Sequence, residues 1–225
     1  MTCIVVLGCF RSGTSAVAGA LHHLGVFMGE EFDPPNSNNP KGFWEDMEFK
    51  RIHRSFESCQ HDSYDKGTET FANYSALIHK REQNHTLWGV KDPLLCHYFS
   101  DLLLCLKETP KVIVCRRSVI DIAESMNKST KGVLLTSMFE PIASHYVECM
   151  DEQLKAFDGE VLEVHKKDPM IDILYPICEF VGVKKTPEAI EFLGGNTNHY
   201  PGNTPDGSNI VNGEWNGNPP DCGMW

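Results

Sequence analysis

The stretch VVLGCFRSGTS, residues 5–15, carries an apolar run straight into a turn with two glycines, Gly8 and Gly13. A segment with helical spacing follows the second glycine, so the pattern predicts a strand, an anion-binding loop and a helix in succession. Loops that bind nucleoside triphosphates carry Lys directly after the second glycine. Here Thr14 takes that position, and the nearest cation, Arg11, precedes the glycine. The stretch therefore predicts a loop for an anion other than a triphosphate.

Several donor groups of this loop converge on the space where an anion would bind. The glycines let backbone N–H groups point inward, and the N-terminus of the following helix adds further N–H groups and a favourable dipole. Hydroxyl groups and one planar guanidinium complete the set. Such donors suit a phosphate that carries a sulfuryl group, which bears less charge than a γ-phosphate. The predicted ligands are Arg11, Ser12, Gly13, Thr14 and Ser15.

Composition predicts one globular domain and argues against two classes of protein. The chain has 225 residues, of which 41% are hydrophobic and 23% charged, which is enough for one core. We expect this domain to span residues 1–193 and a Gly-, Asn- and Pro-rich tail to span residues 194–225. A formal net charge of −11 argues against nucleic-acid binding. No apolar run approaches the roughly 20 residues of a membrane span.

The nine cysteines are scattered and form neither a C-x-x-C pair nor a zinc-binding spacing. This distribution is typical of reduced, buried thiols, and no secretory leader with a basic start is visible. We therefore expect a cytoplasmic protein without a metal site.

Strands and helices alternate along most of the chain. A continuous apolar run rich in β-branched residues predicts a buried strand at residues 2–7. Further strands are predicted at residues 86–90, 111–115 and 161–164. Apolar spacing predicts helices at residues 15–24, 45–59, 71–83, 94–106, 119–126, 134–157 and 170–181. The alternation predicts a three-layer α/β fold with a mostly parallel central sheet flanked by helices. Ligands of such sheets bind beyond the carboxyl ends of the strands, where the polar signals of this chain lie.

Two motifs give the chain a resemblance to the P-loop sulfotransferases that use 3′-phosphoadenosine-5′-phosphosulfate (PAPS). FRSGTS, residues 10–15, resembles the family's 5′-phosphosulfate loop, in which Lys or Arg precedes Ser-Gly-Thr. VIVCRRSVIDIAESM, residues 112–126, supplies Arg117 at a strand end and Ser125 on the next helix. The resemblance implies a P-loop fold and implies that Arg117 and Ser125 bind the 3′-phosphate of the donor. It extends over residues 2–183.

The chain departs from the family pattern at two places. Many relatives have Pro two positions after the phosphate-binding Arg, whereas Arg117 is followed by Ser118 and Val119. Arg116 therefore competes with Arg117 for the phosphate. The Lys-Gly stretch that clamps the 3′-phosphate in cytosolic relatives has no counterpart here, because no Lys or Arg follows Lys185.

Sulfuryl transfer is an in-line displacement that needs a base for the acceptor proton and positive charge near the bridging oxygen. We expect Lys91, in the stretch WGVKDP at a strand end, to supply that charge together with Arg11. Glu45, which follows a Lys-Gly-Phe-Trp stretch, is the favoured base. Its rivals are Asp46, Asp92 and His97. This chemistry requires no metal ion.

The resemblance implies PAPS as co-substrate, adenosine 3′,5′-bisphosphate as product, and a small-molecule or carbohydrate acceptor with a hydroxyl or amine. Two alternatives stay open. One is a P-loop kinase of small molecules or nucleosides that uses ATP and Mg²⁺, and the other is an inactive protein that binds PAPS or its product. The missing Lys of the loop counts against the kinase.

The longest connection, residues 26–44, contains FDPPNSNNPKGFW, whose Pro, Asn and Gly residues are typical of irregular structure. Connections of this length in compact domains usually carry function. We expect this one to shape the acceptor pocket. Candidate aromatic walls of that pocket are Phe27, Phe32, Phe43 and Trp44. Trp44 or Trp88 is the candidate to pack beside the adenine.

Overall fold

A single parallel sheet organises the computed structural model, which describes residues 1–59, 64–130, 133–166 and 170–194. Its strands are β1 (Thr2–Leu7), β2 (Leu87–Lys91), β3 (Lys111–Arg116) and β4 (Val161–His165). They lie in the order β2-β1-β3-β4, and every neighbouring pair is parallel. The expected C-terminal tail lies outside the described residues from residue 195 onward.

β1 lies inside the sheet, with β2 on one side and β3 on the other. The strand order therefore reverses at β1, and such a reversal leaves a crevice at the carboxyl ends of the strands. The glycine loop that follows Leu7 opens at this crevice. Residues 4–7 are fully buried, which is typical of a parallel strand covered on both faces.

Helices cover both faces of the sheet. They are α1 (Thr14–His23), α2 (Met47–Cys59), α3 (Tyr64–Asn84), α4 (Leu95–Cys105), α5 (Val119–Ser129), α6 (Glu140–Lys155), α7 (Leu174–Val181) and α8 (Pro187–Phe192). On one face α1, α7 and α8 pack on Ile4 and Val6. On the other face α2, α3, α4 and α6 pack on Val5 and Leu7. The predicted three-layer α/β fold with a parallel central sheet is confirmed.

The predicted helix at residues 134–157 is wrong in its first turns. A short 3₁₀ turn spans Thr136–Met138, and α6 begins only at Glu140. Pro141 favours this start, because proline fits the first turn of a helix but lacks the N–H that a helix interior needs. The apolar residues that suggested an earlier start, Leu134 and Leu135, are exposed.

The start of α2 also differs from the prediction. Phe32 and Asp46 pair in an isolated antiparallel bridge, and Trp44 has a φ of 58°. Both features keep the backbone extended or turned up to Asp46, so the helix begins at Met47. Glu45 therefore precedes the helix instead of lying within its first turn.

α7 and α8 close the described part of the chain. α7 begins at Leu174, later than the predicted residue 170, and α8 is not predicted by the apolar pattern. The side chain of Thr186 accepts a hydrogen bond from the N–H of Ala189 at 3.1 Å and caps α8. A Cβ on Gly19 of α1 would lie 2.2 Å from the ring of Phe192, so α8 packs closely on α1. Among the described helices, none is long and apolar enough to cross a membrane.

Candidate functional site

The loop between β1 and α1 holds strained backbone at its tip. Arg11 and Gly13 have left-handed backbones, with φ of 66° and 102°. A left-handed φ is uncommon for a residue other than glycine, and such strain clusters at functional sites. No side chain in the described chain caps α1, and its first turn carries no acidic residue. The N-terminal N–H groups of α1 are therefore suited to an anion.

The three hydroxyl groups of the loop have different surroundings. Ser12 is buried and donates its hydroxyl to the carbonyl oxygen of Cys9 at 2.6 Å, which closes the loop on itself. Thr14 is buried as well. Ser15 is half-buried on the first turn of α1. Ser12 thus shapes the loop, and an anion would meet the hydroxyl of Ser15 with the smallest rearrangement.

Gly8 is the tightest point of the loop. A Cβ there would lie 2.6 Å from Ser12 Oγ and 2.8 Å from Thr14 Cγ2. We expect Gly8→Ala to lower the free energy of unfolding by about 1–3 kcal/mol, because overpacking forces its neighbours to shift. Urea denaturation followed by circular dichroism measures this change.

Gly67→Ala is the matched control. Gly67 lies within α3, where a Cβ would meet nothing within 4 Å. Alanine should therefore raise the free energy of unfolding by up to ~1 kcal/mol through its better helix propensity. Equal losses in the two variants would contradict the close packing of the loop around Gly8.

Arg117 and Ser125 lie beside the loop, although more than a hundred residues separate them from it in the sequence. Arg117 Nη1 donates to the carbonyl oxygen of Arg11 at 2.8 Å. Arg11 Nε in turn donates to Ser125 Oγ at 3.0 Å. The structure thus brings the glycine loop, the end of β3 and the helix α5 into one continuous donor surface.

Arg116 and Arg117 point to different partners, because successive residues at a strand end face opposite sides. Arg116 Nε donates to Glu163 Oε1 at 3.1 Å, and its Nη1 is ion-paired with Asp151. These bonds raise the pKa of Arg116 against the opposing effect of burial. Arg116 is therefore held by carboxylates, whereas Arg117 faces the loop.

Lys166 joins this surface and was missed by sequence reasoning. It directly follows β4, and its side chain passes the backbone of Gly13, where a Cβ would lie 3.5 Å from Lys166 Cδ. The available signal was its place at a strand end, where ligands of parallel sheets bind. Burial, and then the charges of Arg117 and Arg11, lower the pKa of Lys166. Burial and then Arg117 lower the pKa of Arg11 in the same way.

The three cations Arg11, Arg117 and Lys166 form what we term the loop cation cluster. Within the described residues, none of them is ion-paired with a carboxylate. Like charges held together without a counter-charge are unfavourable unless an anion binds among them. Small clefts flank the buried Ser12, one reaching Lys166 and the other reaching Arg117. The cluster therefore gathers positive charge beside the glycine loop, where a bound anion would offset it.

The long connection after α1 reaches over the loop. Arg11 Nη1 donates to the carbonyl oxygen of Asn38 at 3.3 Å, and Asn38 Nδ2 donates to the carbonyl oxygen of Ser129 at 3.3 Å. Asn36 and Asn39 pair through their backbones, which forms a turn at this point. The connection thus bridges the loop and the end of α5.

Glu45 and Lys91, predicted for different roles, contact each other. Lys91 Nζ donates to Glu45 Oε1 at 2.7 Å and to the carbonyl oxygen of Phe43 at 3.2 Å. Glu45 Oε2 accepts from Lys50 Nζ at 2.6 Å. Glu45 and Lys91 are only 5% and 2% exposed, so this is a buried ion pair with a second lysine attached. Both carboxylate oxygens are therefore occupied by ammonium groups.

Asp92, one of the rival bases, directly follows β2 and belongs to a buried chain of hydrogen bonds. Its Oδ2 lies 2.9 Å from His53 Nδ1, and His53 Nε2 lies 3.1 Å from the hydroxyl of Tyr74. Its Oδ1 accepts from the N–H of Leu94 at 2.9 Å. Burial alone would raise the pKa of Asp92, but the hydrogen bond and charge of His53 hold it below its usual value. Sequence reasoning missed His53 and Tyr74, because neither lies at a strand end.

The other two rivals, Asp46 and His97, contact residues outside the loop cation cluster. Asp46 Oδ2 accepts from Arg81 Nη2 at 2.8 Å, and burial raises the pKa of Asp46 in spite of that arginine. His97 lies on α4 with its ring against those of His145 and Tyr146. Burial and then His145 lower the pKa of His97.

The predicted aromatic walls serve mostly as packing. Trp88 is 1% exposed and stacks on Phe49 in the core, so its expected role beside adenine is wrong. Trp44 donates its Nε1–H to the carbonyl oxygen of Lys41 at 2.9 Å and packs on Phe32 and Phe192. These contacts hold the connection against α1 and α8.

Comparisons with known proteins establish which fold the chain has, but they do not identify its family. No family model matches the chain, and no curated protein sequence gives a significant match. A similar solved structure is the sulfotransferase domain of the Synechococcus PCC 7002 olefin synthase, with 16% identity and a TM-score of 0.51 over 90% of this chain and 82% of that one. Another is deoxyadenosine kinase from M. mycoides with bound dATP, with 12% identity and a TM-score of 0.47 over 80% of this chain and 100% of that one. The chain shares the P-loop α/β fold of the sulfotransferase domain.

Proposed function

We propose that this protein transfers a sulfuryl group from PAPS to a hydroxyl or amine of a small-molecule or carbohydrate acceptor and releases adenosine 3′,5′-bisphosphate. The loop cation cluster is the observation that carries the proposal. It puts Arg11, Arg117 and Lys166 around a glycine loop that has Thr14 in place of the lysine of triphosphate-binding loops. PAPS carries negative charge at two separate groups, the 5′-phosphosulfate and the 3′-phosphate. It can therefore contact cations on different sides of the loop, whereas a triphosphate carries its charge along one chain.

The 5′-phosphosulfate binds at the glycine loop in this proposal. The backbone N–H groups from Gly13 to Ser15 and the guanidinium of Arg11 hold its oxygens, whereas the N–H of Ser12 donates to the carbonyl oxygen of Cys9. The 3′-phosphate binds Arg117 and Ser125, whose positions beside Arg11 support a single nucleotide that spans both motifs. Lys166 provides the positive charge that cytosolic relatives draw from a C-terminal Lys-Gly stretch.

The reaction moves one proton and exchanges one bond at sulfur. Glu45 accepts the proton of the acceptor group, the acceptor oxygen or nitrogen forms the new bond to sulfur, and the bond from sulfur to the bridging oxygen breaks. Lys91, together with Arg11, stabilises the charge that develops on that oxygen. Both oxygens of Glu45 already accept a hydrogen bond from an ammonium group, so the acceptor group competes with Lys50 and Lys91 for the carboxylate.

A kinase that uses ATP and Mg²⁺ is the second candidate, because the carboxylate of Asp92 lies at the end of β2, next to β1. Both oxygens of Asp92 already accept hydrogen bonds, from His53 and from Leu94. Asp92 is also only 4% exposed, so little of its carboxylate is open to a metal ion. A binding protein for PAPS or its product that has no turnover is the third candidate.

Ligand-dependent thermal stability separates the three candidates. Adenosine 3′,5′-bisphosphate should raise the melting temperature in the presence of a chelator, because a ligand that binds only the native state stabilises it by about 2.7 kcal/mol at 100 times its Kd. ATP with Mg²⁺ should give a smaller shift. Transfer of labelled sulfate from PAPS to members of an acceptor panel then completes the test. Stabilisation by ATP with Mg²⁺ alone would favour the kinase, and donor binding without transfer to any acceptor would favour the inactive protein.

A further inference from the structure

A second group of polar side chains lies outside the loop cation cluster, between α4 and α6. His97 lies on α4, and His145 and Cys149 lie on α6. One ligand atom from each of these three side chains lies within 4.8 Å of the other two. The mechanism proposed above uses none of them.

Helix geometry explains why the three side chains meet. His145 and Cys149 are four residues apart on α6, a spacing that stacks side chains on one face of a helix. Cys149 Sγ lies 3.7 Å from His145 Nδ1, and the rings of His97 and His145 lie 5.1 Å apart. Gln153 Nε2 donates to the carbonyl oxygen of His97 at 2.9 Å and fixes α6 against α4 at this point. Two helices and a side-chain hydrogen bond thus hold the three groups together.

We propose that His97, His145 and Cys149 form a binding site for a divalent transition metal ion, with Zn²⁺ as the best match. Two imidazoles and one thiolate are typical zinc ligands, and three protein ligands leave a fourth, open position for water. His145 is exposed and the other two are half-buried, so an ion can enter from solvent. Binding replaces the proton of the thiol, which passes to solvent.

The ring of Tyr146 connects the metal site to the glycine loop. The ring of Tyr146 contacts that of His97 at a centroid distance of 4.5 Å, and it contacts that of Phe10 at 5.0 Å. Phe10 lies in the loop, next to Arg11. A bound ion would pin α4 to α6 directly behind this contact, so it should stabilise the loop as well as the two helices.

The expectation of a chain without a metal site rested on spacing along the sequence. The nearest two ligands have the spacing H-x-x-x-C, and the third lies on a different helix far upstream. Such a site has no local sequence signature and forms only when α4 packs on α6.

Titration of the metal-free full-length protein with Co²⁺ tests the proposal. A thiolate bound to cobalt gives a charge-transfer band in the near ultraviolet, and a four-coordinate ion gives intense visible bands. We expect both bands at one equivalent of Co²⁺, and we expect Zn²⁺ to abolish them by displacement. Absence of the charge-transfer band in the wild-type protein would overturn the proposal.

Variants separate this site from the other thiols and histidines of the chain. Cys149→Ser should remove the charge-transfer band, and His145→Ala should weaken Zn²⁺ binding by more than the ~10–100-fold loss typical of changes to outer-shell partners of a metal. Cys105→Ser, a half-buried cysteine at the end of α4, and His79→Ala, an exposed histidine on α3, are the controls. Both controls should bind like the wild type. Retention of the charge-transfer band in Cys149→Ser, or its loss in Cys105→Ser, would show that the ion binds elsewhere.

Thermal unfolding gives a readout of the predicted link between α4 and α6. One equivalent of Zn²⁺ should raise the melting temperature of the wild type and leave that of Cys149→Ser unchanged. An equal rise in both proteins would contradict the site. These measurements contain neither PAPS nor an acceptor, so their outcome is independent of the proposed transferase activity.

Discussion

Arg117→Ala should weaken the binding of adenosine 3′,5′-bisphosphate by about 100-fold, because hydrogen bonds to charged groups contribute roughly 1.5–3 kcal/mol each. The guanidinium of Arg117 bonds to the loop backbone at Arg11 and, in the proposed complex, to the 3′-phosphate. Its loss removes one charge of the loop cation cluster and one support of the loop. Isothermal titration calorimetry at constant ionic strength measures the change in Kd.

Arg116→Ala is the control, because it removes the same type of side chain at the position next to Arg117. Arg116 is held by Asp151 and Glu163 on the other side of β3, so its removal should change the Kd by less than about threefold. The folded state of both variants is checked by circular dichroism. A larger loss of affinity in Arg116→Ala than in Arg117→Ala would reverse the assignment of the 3′-phosphate site.

Glu45→Ala should lower the free energy of unfolding by roughly 3–5 kcal/mol, the usual cost of removing one partner of a buried ion pair. Lys91 is 2% exposed and would lose the carboxylate that its ammonium group contacts at 2.7 Å. Lys50 would lose the same partner. Urea denaturation measures the change, and Glu31→Ala is the control. Glu31 forms an exposed pair with Arg51, for which we expect a loss of at most about 1 kcal/mol.

Glu45→Gln separates the proposed role of this carboxylate as a base from its role in the buried ion pair. Glutamine keeps the size of the side chain and can still accept a hydrogen bond from Lys91, but it is no longer a base. We expect turnover to fall by about 100-fold or more, with the Kd of adenosine 3′,5′-bisphosphate unchanged. Normal turnover in a folded Glu45→Gln protein would remove Glu45 from the base role and leave it as the partner of Lys91.

The order of secondary structure follows from local pattern, and most of it could be predicted. All four strands of the described sheet lie where the sequence predicts them. The continuous apolar run of β1 fits its burial, since a strand covered on both faces needs apolar residues. The edge strand β4 is different, because Glu163 lies within it and only Val164 is buried. Two features differ from the prediction made from apolar spacing, the start of α6 and the presence of α8, and both have causes other than apolar spacing. Pro141 sets the start of α6, and the cap at Thr186 creates α8, a helix too short for an apolar period.

The candidate site likewise contains some residues that local sequence indicates and others that only the folded chain brings together. Arg11 and its neighbours could be found from the glycine spacing. Arg116 and Arg117 could be found from their place at a strand end, but the sequence left open which of the two faces the loop. Lys166 could not be ranked above other lysines, because its closeness to Gly13 depends on the packing of β4 beside β3. The partner of Glu45 was equally hidden, since the contact joins a residue before α2 to the end of β2.

The sequence alone determined the parallel α/β fold, the glycine loop between β1 and α1, and the lack of a lysine after its second glycine, because each of these features depends on residues that are adjacent in the chain. Tertiary structure alone decided which charges meet. It directed Arg116 to carboxylates and Arg117 to the loop, buried Glu45 against Lys91, and brought His97 to His145 and Cys149. The physical reason is that the direction of a side chain depends on strand parity and helix packing, and these are settled only when distant segments share one core.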